Sequence, residues 1–541
     1  MATSPQISRA RTKQTKSREK KAGKTAAQDT SWKNRPIFGI VVGTLVWLFS
    51  MILLSVGPFS DGSLTVEKFM DLAGSGVYLL FGLIASVFTL SLCRPDYLKG
   101  NARVLLLAAI AVVSLIPAIL LQYVLNSVET VGQGVAGFLM PFAMASLLTS
   151  ILLSGIAGVI VGGWVTLVIV ILVGGDIPLP LLLVGLSATV VAGISAPRAR
   201  TRSKVIRVGV AAGASQLALI LGITATQWSD SHLPTVLYQA GACVASGFLS
   251  AILVLLILPA FERLSGITTD ITMLELADLG HPLLQRLALE APGTYHHSLV
   301  VANLAQAAAD EIGENALVAR VCCYFHDVGK LVKPEFFTEN IGYNLNPHDS
   351  LPPTMSSLVI TSHVKEGVSL AILHKLPNPV INVISEHHGT SLVSFFHNKA
   401  RAQLEIEKEK KGENPAGESS TLDEWNFRYP GPKPVSRISG IIAIADALEA
   451  ASRSIEKTTP AHIEGLVDEI VSSRISDGQL DNCSLTMEQL TRIRNSFARS
   501  LTSMLHGRTP YPKNENRDKQ PTDPAQTGPA EVAAAGSAVH G

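Results

Sequence analysis

The sequence predicts an all-α protein in which a polytopic helical membrane domain is followed by an all-helical cytoplasmic domain. Three observations carry this prediction. The 541 residues are 47% hydrophobic and only 16% charged, and the mean hydropathy of +0.32 is high for a soluble protein. Apolar stretches of about 20 residues, the length that crosses a bilayer core, recur between residues 36 and 260. After Phe261 the composition becomes that of a soluble helical domain.

Residues 1–35 form a basic tail that we predict to be disordered and cytoplasmic. The tail has ten Lys or Arg residues against Glu19 and Asp29, a composition that favours a solvated segment. The C-terminal residues 506–541 are rich in Pro, Ala and Gly and carry the same prediction of disorder. The five cysteines form no CxxC pair, so neither a disulfide framework nor a zinc knuckle is expected.

Eight apolar stretches within residues 36–260 are candidate membrane spans. Their approximate bounds are 36–59, 74–93, 103–123, 136–155, 156–175, 177–196, 208–227 and 236–260. The part from 136 to 196 is the hardest to divide, because its breaks are only Gly-rich or, at 174–178, the sequence Gly-Gly-Asp-Ile-Pro. The first two spans are separated only by the short segment from Phe59 to Gly74.

The charged loops predict the orientation of these spans, because positive charge stays on the cytoplasmic side of a membrane. The basic segments are the N-terminal tail, the loop Arg94–Arg103 and the loop Arg198–Lys204, whereas the loops near Asp61, Glu129, Asp176 and Asp230 have few or no basic residues. Eight crossings put every basic segment inside and leave both termini cytoplasmic. Charged residues are nearly absent from the spans, so a transporter has little support.

The soluble part begins with a predicted linker helix over residues 261–290, where apolar residues from Ile267 to Leu289 recur at helical spacing. Residues 291–505 follow as a mainly helical domain. Within this domain, residues 401–425 are rich in Glu, Lys, Gly and Ser, and we predict a solvated insert or a short charged helix there.

The dipeptide His326-Asp327 is the centre of the functional prediction. Adjacent residues on a helix point about 100° apart, yet such a pair can serve one metal cluster. The imidazole binds one ion, and the two carboxylate oxygens bridge that ion to a second. An apolar run from Ala319 precedes the pair, which predicts a position at the end of a buried helix.

Further candidate ligands lie on other predicted helices of the soluble part. They are His297 in Gly293–Ser298, His363 in Thr361–Val364, His387 and His388 in Glu386–Gly389, and Asp446 in Ile441–Glu449. A buried carboxylate such as Asp446 is costly unless it is paired or bound to metal. Together these side chains offer enough ligands for two ions, and nitrogen with carboxylate ligands suits Mn, Fe or Zn better than Ca.

The order of these residues resembles the HD phosphohydrolase superfamily. The local sequence is similar to that of the seven-transmembrane HD-domain cyclic-di-AMP phosphodiesterases of bacteria, over about residues 136–505. The segments that carry the resemblance are Leu289–Asn303, Asn346–Asp349, Glu386–Thr390 and Phe427–Pro434. The resemblance implies an HD domain at 291–505, two divalent ions, Mn or Fe, and hydrolysis of cyclic-di-AMP to pApA at the bacterial inner membrane, which would control the level of this second messenger.

The resemblance also implies which residues hold which ion, and the residues themselves suggest roles for three more side chains. One ion would be held by His297, His326, Asp327 and Asp446, and the other by Asp327, His363 and one or both of His387 and His388. Asp327 would be catalytic as the bridge between the ions. Lys330 would add positive charge near the phosphate or would interact with the dipole of a helix C-terminus. Tyr429 and Lys433 would line the nucleotide pocket or belong to a rigid loop.

The expected partners are a cyclic dinucleotide and the lipid bilayer, and no nucleic-acid polymer is expected. The sequence leaves open whether the protein forms a homodimer. Relatives carry an extracellular sensor domain between their first two spans, so the short segment 59–74 predicts that this domain is missing. Two alternatives remain. One is hydrolysis of cyclic-di-GMP or an alarmone, although Gly389–Leu392 replaces the Gly-Tyr-Pro of cyclic-di-GMP enzymes. The other is a non-catalytic nucleotide receptor, which the complete ligand set disfavours.

Overall fold

The structure is a computed structural model that describes most of the chain between Pro36 and His506. The described ranges are 36–56, 65–127, 133–174, 178–226, 233–341, 346–411, 423–454 and 459–506. The predictions for the two tails, for most of the loop after the first span and for the middle of the charged insert lie outside these ranges. The described residues are helical, with a single isolated β-bridge between Leu392 and Arg428.

The described membrane region contains eight apolar helices. They are α1 (Pro36–Val56), α2 (Val66–Cys93), α3 (Asn101–Ser127), α4 (Ala143–Leu152), α5 (Gly155–Val173), α6 (Pro178–Ser195), α7 (Arg202–Thr226) and α8 (Leu233–Ser265). Six of them, all but α4 and α6, are long and apolar enough to cross a membrane. The protein is therefore a multi-pass membrane protein, and each candidate span contains one apolar helix.

The candidate span 136–155 is not one continuous helix. A single helical turn, Gln133–Ala136, and a 3-10 turn, Gly137–Leu139, precede a break at Met140–Phe142, and only then does α4 begin. Pro141 explains the break, because proline has no N–H to donate to the preceding turn. At ten residues α4 is too short to cross a bilayer by itself, and nearly all of its residues are buried among the other helices.

The second span also differs from its prediction, since α2 begins at Val66 rather than near residue 74. The added helical turns contain charged residues, which lower the hydropathy of this segment, so a hydropathy pattern could not predict them. These residues are helical because their backbone groups form hydrogen bonds within the helix. The predicted loop Phe59–Gly74 is therefore shorter than expected.

The basic loops lie at the end of the bundle that faces the soluble part. The Tyr97 hydroxyl, in the first basic loop, donates to the Leu153 carbonyl in the α4–α5 turn over 3.2 Å. In the second basic loop, Arg200 pairs with Asp270 and Arg202 pairs with Glu275, both beyond the last span. This common end supports the proposed orientation, with basic loops and soluble domain on one side of the membrane.

The soluble part is a bundle of ten helices in the described residues. They are α9 (Asp270–Leu276), α10 (Pro282–Glu290), α11 (Pro292–Glu311), α12 (Ala316–Phe325), α13 (Pro353–Leu373), α14 (Asn378–Glu386), α15 (Ser394–Lys411), α16 (Arg437–Ser452), α17 (Pro460–Ser476) and α18 (Met487–His506). Short 3-10 helices lie at Val328–Val332, Pro334–Phe336, Pro347–Ser350 and Glu424–Phe427.

The prediction of one continuous linker helix over residues 261–290 is wrong. Helix α8 continues to Ser265, and α9 and α10 follow as separate short helices. The break between them has a local cause. The Asp278 side chain accepts from the Gly280 N–H over 2.9 Å, which forms a turn, and Pro282 then starts α10 at a position where its missing N–H costs nothing.

Helix α16 lies at the centre of the soluble bundle and packs against α11, α12, α14 and α17. Its residues from Ser439 to Ala445 are all buried. Because it is surrounded on several sides, its sequence is apolar all round rather than amphipathic. A carboxylate on this helix is therefore forced into the interior, and Asp446 is such a carboxylate.

Candidate metal centre

His326 and Asp327 lie where α12 ends, as their sequence predicted. Asn315 caps the start of α12, its side chain accepting from the N–H groups of Leu317 and Val318. The helix then runs through a wholly buried segment, Val321–Phe325, to His326. Both His326 and Asp327 are almost completely buried, at 0% and 1% exposure. The buried end of α12 thus places the polar pair His326-Asp327 in the core.

Asp327 lies between two groups of side chains, one at each carboxylate oxygen. Its Oδ2 is 3.3 Å from Nε2 of His326 and 3.5 Å from Nε2 of His297. Its Oδ1 is 3.3 Å from Nε2 of His363 and 3.6 Å from Nε2 of His387. Each oxygen of Asp327 could therefore contact an ion held by its own group of histidines.

All seven candidate ligands belong to these two groups, which we call cluster 1 and cluster 2. Cluster 1 is His297, His326, Asp327 and Asp446, and cluster 2 is Asp327, His363, His387 and His388. In each cluster the potential ligand atoms lie within 4.8 Å of one another. The residues come from α11, α13, α16 and the C-terminal ends of α12 and α14, so only the folded bundle brings them together.

Hydrogen bonds fix which nitrogen each histidine turns toward the clusters. Nδ1 of His326, His363 and His387 lies 2.7, 2.6 and 2.9 Å from the carbonyl oxygens of Cys323, Ile360 and Ile384. A carbonyl can only accept, so each Nδ1 donates its proton to a carbonyl and each Nε2 points toward the clusters. Backbone partners of this kind orient metal-binding histidines.

The donor set fits divalent metal ions. Among the described residues, Nε2 of His326 and Oδ1 of Asp327 are buried without a hydrogen-bond partner. Buried polar atoms are normally satisfied, and these two face the clusters. Imidazole nitrogens with carboxylate oxygens are ligands that Mn, Fe and Zn accept. The seven side chains could therefore hold metal, and these two atoms would gain their missing partner from it.

The protonation states in the absence of metal follow from burial and from the two carboxylates. Burial opposes the charged form of His326, but Asp327 and Asp446 outweigh it and raise its pKa to about 10. Burial and the neighbouring His387 hold the pKa of His388 well below its usual value. A cation entering cluster 1 must therefore displace the extra proton of His326, whereas His388 of cluster 2 holds no such proton.

Lys330 lies beside the shared carboxylate. Its Nζ is 2.7 Å from Oδ2 of Asp327 and 2.7 Å from Oε1 of Glu339. The two carboxylates outweigh burial and raise the pKa of Lys330, so it stays charged. Lys330 belongs to the 3-10 helix Val328–Val332, not to the end of an α-helix. Its partner is thus a carboxylate rather than a helix dipole.

Comparisons with known proteins cover both halves of the chain. Residues 69–269 match the family described as 7TM receptor with intracellular HD hydrolase, and residues 294–451 match the HD domain family. The second match begins three residues before His297 and ends beyond Asp446, so it contains both clusters. The two matches cover the membrane region and the soluble region in turn, and we call the pair of clusters the HD site.

The chain is similar to cyclic-di-AMP phosphodiesterase PgpH of Bacillus subtilis (strain 168), with 38% identity over 321 residues that cover 59% of this chain and 43% of the relative. PgpH of Listeria monocytogenes serotype 1/2a (strain 10403S) is 36% identical over 58% of this chain and 42% of its own length. This chain thus spans under half the length of these relatives. A crystal structure of the L. monocytogenes PgpH HD domain with cyclic-di-AMP is 41% identical over 43% of this chain and all of that chain, with a TM-score of 0.38.

One side of the HD site is less buried than the rest. His388 has 17% of its side chain exposed, more than the other six candidate ligands. Its ring stacks on Tyr429, with ring centroids 4.2 Å apart, so Tyr429 adjoins cluster 2 as its predicted role in the pocket requires. Lys433 instead forms a surface ion pair with Asp481. The site is therefore most exposed to solvent at His388, against which Tyr429 stacks.

Two carboxylates of the HD site were not predicted from the sequence. Glu449 accepts from Nδ1 of His297 and pairs with Arg453. Glu339 accepts from Lys330 and from the Thr294 hydroxyl. A signal existed for Glu449, since it follows Asp446 by three residues on one helix and so shares its face. Glu339 lies in an irregular segment, and only the folded chain brings it to Lys330.

Glu449 gives the first prediction. Glu449→Gln keeps an acceptor for Nδ1 of His297 but removes the charge that makes the ring a better ligand, so we expect metal affinity to fall about 10-fold, and Glu449→Leu should approach 100-fold. Manganese titration of the purified protein measures this. Glu464→Gln, at an exposed position of α17, is the control. Unchanged affinity in both Glu449 variants would contradict an orienting role.

Proposed function

We propose that this protein is a membrane-anchored, metal-dependent phosphodiesterase that hydrolyses cyclic-di-AMP to pApA. The observation that carries the proposal is the pair of clusters that share Asp327 within an HD domain. The names of the two PgpH relatives supply the substrate. Two divalent ions, Mn or Fe, are proposed as the cofactors, and the bacterial inner membrane as the location.

The chemistry divides between the ions and the chain. When bound, divalent ions here would activate a water and neutralise charge on the phosphate. Asp327 holds the two clusters together through its two oxygens, and Glu449 orients His297. Lys330 stays protonated in the interior and adds a fixed positive charge beside the site, where a phosphate gains charge in the transition state. Tyr429 stacks against His388, where a planar base could contact the ring.

The domain division is part of the proposal. Residues 36–260 form the membrane domain and residues 291–505 the HD domain, joined by the segment 261–290. The ion pairs Arg200–Asp270 and Arg202–Glu275 support a fixed junction between the membrane domain and this segment. Asp270 also accepts from the Asn315 side chain over 2.7 Å, and Asn315 caps the helix that ends at His326. A series of contacts from the membrane loop thus reaches the N-terminal end of the helix that ends at His326.

The test is turnover by the full-length protein in detergent, loaded with Mn or Fe(II) and given cyclic-di-AMP, cyclic-di-GMP or a guanosine alarmone in parallel. We expect cyclic-di-AMP to be converted to pApA fastest, with activity lost on chelation and restored by metal. If another nucleotide were turned over faster, that nucleotide rather than cyclic-di-AMP would be the substrate. Two bound ions with no turnover of any nucleotide would favour the receptor alternative.

The orientation is tested separately. The basic loops and the HD domain lie at one end of the helix bundle, so the N-terminus and C-terminus are expected in the cytoplasm. A cytoplasm-active reporter fused after Gly541 should be active, and a periplasm-active one should be silent. The reverse pattern would overturn the proposed orientation.

A further inference from the structure

The membrane region contains a cavity of about 990 Å³ between α1, α2, α3 and α5. This volume is at the upper end of the range for small-molecule sites. The walls include Trp47, Leu83, Ala108 and Trp164. Leu83 and Ala108 belong to the halves of α2 and α3 near the loop Arg94–Arg103, whereas Trp47 and Trp164 lie near the middle of α1 and α5. The cavity therefore extends from the basic loop to about the middle of the membrane region.

The walls of this α1–α5 cavity offer little to a polar ligand. The indole N–H of Trp47 donates to the Gly76 carbonyl over 2.9 Å, and that of Trp164 donates to the Leu79 carbonyl over 3.3 Å. The Thr44 hydroxyl donates to the Ile40 carbonyl within its own helix. These polar groups are satisfied by backbone, and the surface left to an occupant is aromatic and aliphatic. A nucleotide or a hydrated ion would not be stable there, whereas a hydrocarbon chain would.

One end of the cavity is positively charged. Lys99 and Asn101 line it where it meets the basic loop. The loop has three cations, Arg94, Lys99 and Arg103, against the single carboxylate of Asp96. The guanidinium carbons of Arg94 and Arg103 lie 4.4 and 5.6 Å from the Tyr97 ring centroid, and Tyr97 is bonded to the α4–α5 turn. Arg94 and Arg103 also pair with Asp96, and Lys99 is the cation of this loop that lines the cavity.

We propose that the α1–α5 cavity binds an anionic membrane phospholipid, with one acyl chain between Trp47 and Trp164 and the phosphate at Lys99. The apolar wall matches the chain, and the excess of cations matches the headgroup. Anionic lipids attract basic segments at the cytoplasmic surface of a membrane, and the proposed orientation puts this end there. The site is separate from the metal clusters and does not depend on their activity.

The experiment measures quenching of tryptophan fluorescence by brominated lipid. In the full-length protein Trp32, Trp228 and Trp425 are replaced by Phe, which leaves Trp47 and Trp164 as the reporters. The protein is reconstituted in bilayers with increasing fractions of phosphatidylglycerol brominated on its acyl chain, or of equally brominated phosphatidylcholine. We expect the anionic lipid to quench at a lower mole fraction, because its chain occupies the cavity preferentially.

Matched variants separate the site from general lipid contact. Lys99→Gln should raise the mole fraction of phosphatidylglycerol for half-maximal quenching about fivefold, and Ala108→Phe, which fills the cavity, should remove the preference. Lys204→Gln in the other basic loop and Leu105→Phe on the exposed face of α3 should leave it intact. Equal quenching by both lipids, or a preference that survives Lys99→Gln, would overturn the proposal. Lys99→Gln decides the question if Ala108→Phe does not fold.

Discussion

Asp327→Asn is expected to lower the metal content from two ions toward one or none per chain and to reduce phosphodiesterase activity by more than about 100-fold. A loss of about 100-fold is the most that usually follows when a residue that only orients a metal ligand is replaced, and Asp327 is proposed as a ligand itself. The reason is the position of Asp327, whose two oxygens face different clusters at 3.3 Å from the nearest histidine nitrogens. An amide has the same shape but no charge, and it is a poor bridge between two cations.

The fold is expected to survive this substitution. Asp327→Asn changes no volume and opens no cavity. It does remove one partner of the buried Lys330, but Glu339 lies 2.7 Å away and still balances that cation. The destabilisation should therefore stay below the 3–5 kcal/mol of an uncompensated buried charge. Circular dichroism should be unchanged.

Metal stoichiometry and turnover are measured on one sample of Asp327→Asn. Asp310→Asn, at an exposed position of α11, is the matched control, since it lies on the helix that carries His297 but faces away from the site. A folded Asp327→Asn protein that retains two metals and near-normal turnover would remove the basis of the proposed mechanism.

The architecture was predictable from the sequence because hydropathy acts on long segments. Each apolar stretch became an apolar helix, and the polar pair at the end of α12 was visible as His-Asp after an apolar run. The errors lie where local backbone chemistry decides. Pro141 interrupts a stretch that is continuous in hydropathy, and the turn at Asp278–Gly280 divides a stretch whose apolar spacing is continuous.

The candidate ligands were predictable by residue type, but their contacts were not. His and Asp in apolar helices are unusual enough to notice, and the resemblance grouped them. Which nitrogen faces inward depends on the carbonyls of Cys323 and Ile360, which are invisible in a pattern of side chains. Glu339 depends on how an irregular segment returns to α11, a tertiary contact that no local period encodes.

Gly329 gives the second large effect, and its reason is steric. An alanine Cβ at this position would overlap the carbonyl oxygen of His363 and would lie 2.5 Å from the backbone nitrogen of Gly367. Both atoms are backbone of α13, so no side-chain rotation relieves the clash. Gly329 is not one of the glycines with a positive φ, so the expected destabilisation comes from the clash and not from an unfavourable backbone conformation. The segment that follows His326-Asp327 packs directly on the helix that carries His363.

Gly329→Ala should therefore displace α13 and widen the gap between Asp327 and His363. We expect a loss of about 3 kcal/mol or more in the free energy of unfolding, at or beyond the usual range for overpacking, together with loss of an ion from cluster 2. Gly465→Ala is the control. No atom lies within 4 Å of its Cβ position on α17, so it should stabilise the protein by roughly 0.5–1 kcal/mol. Thermal unfolding and metal content measure both effects. A Gly329→Ala protein with unchanged thermal unfolding and two bound ions would contradict this prediction. The close contact between α13 and the segment after His326-Asp327 would then not be needed to keep the two clusters together.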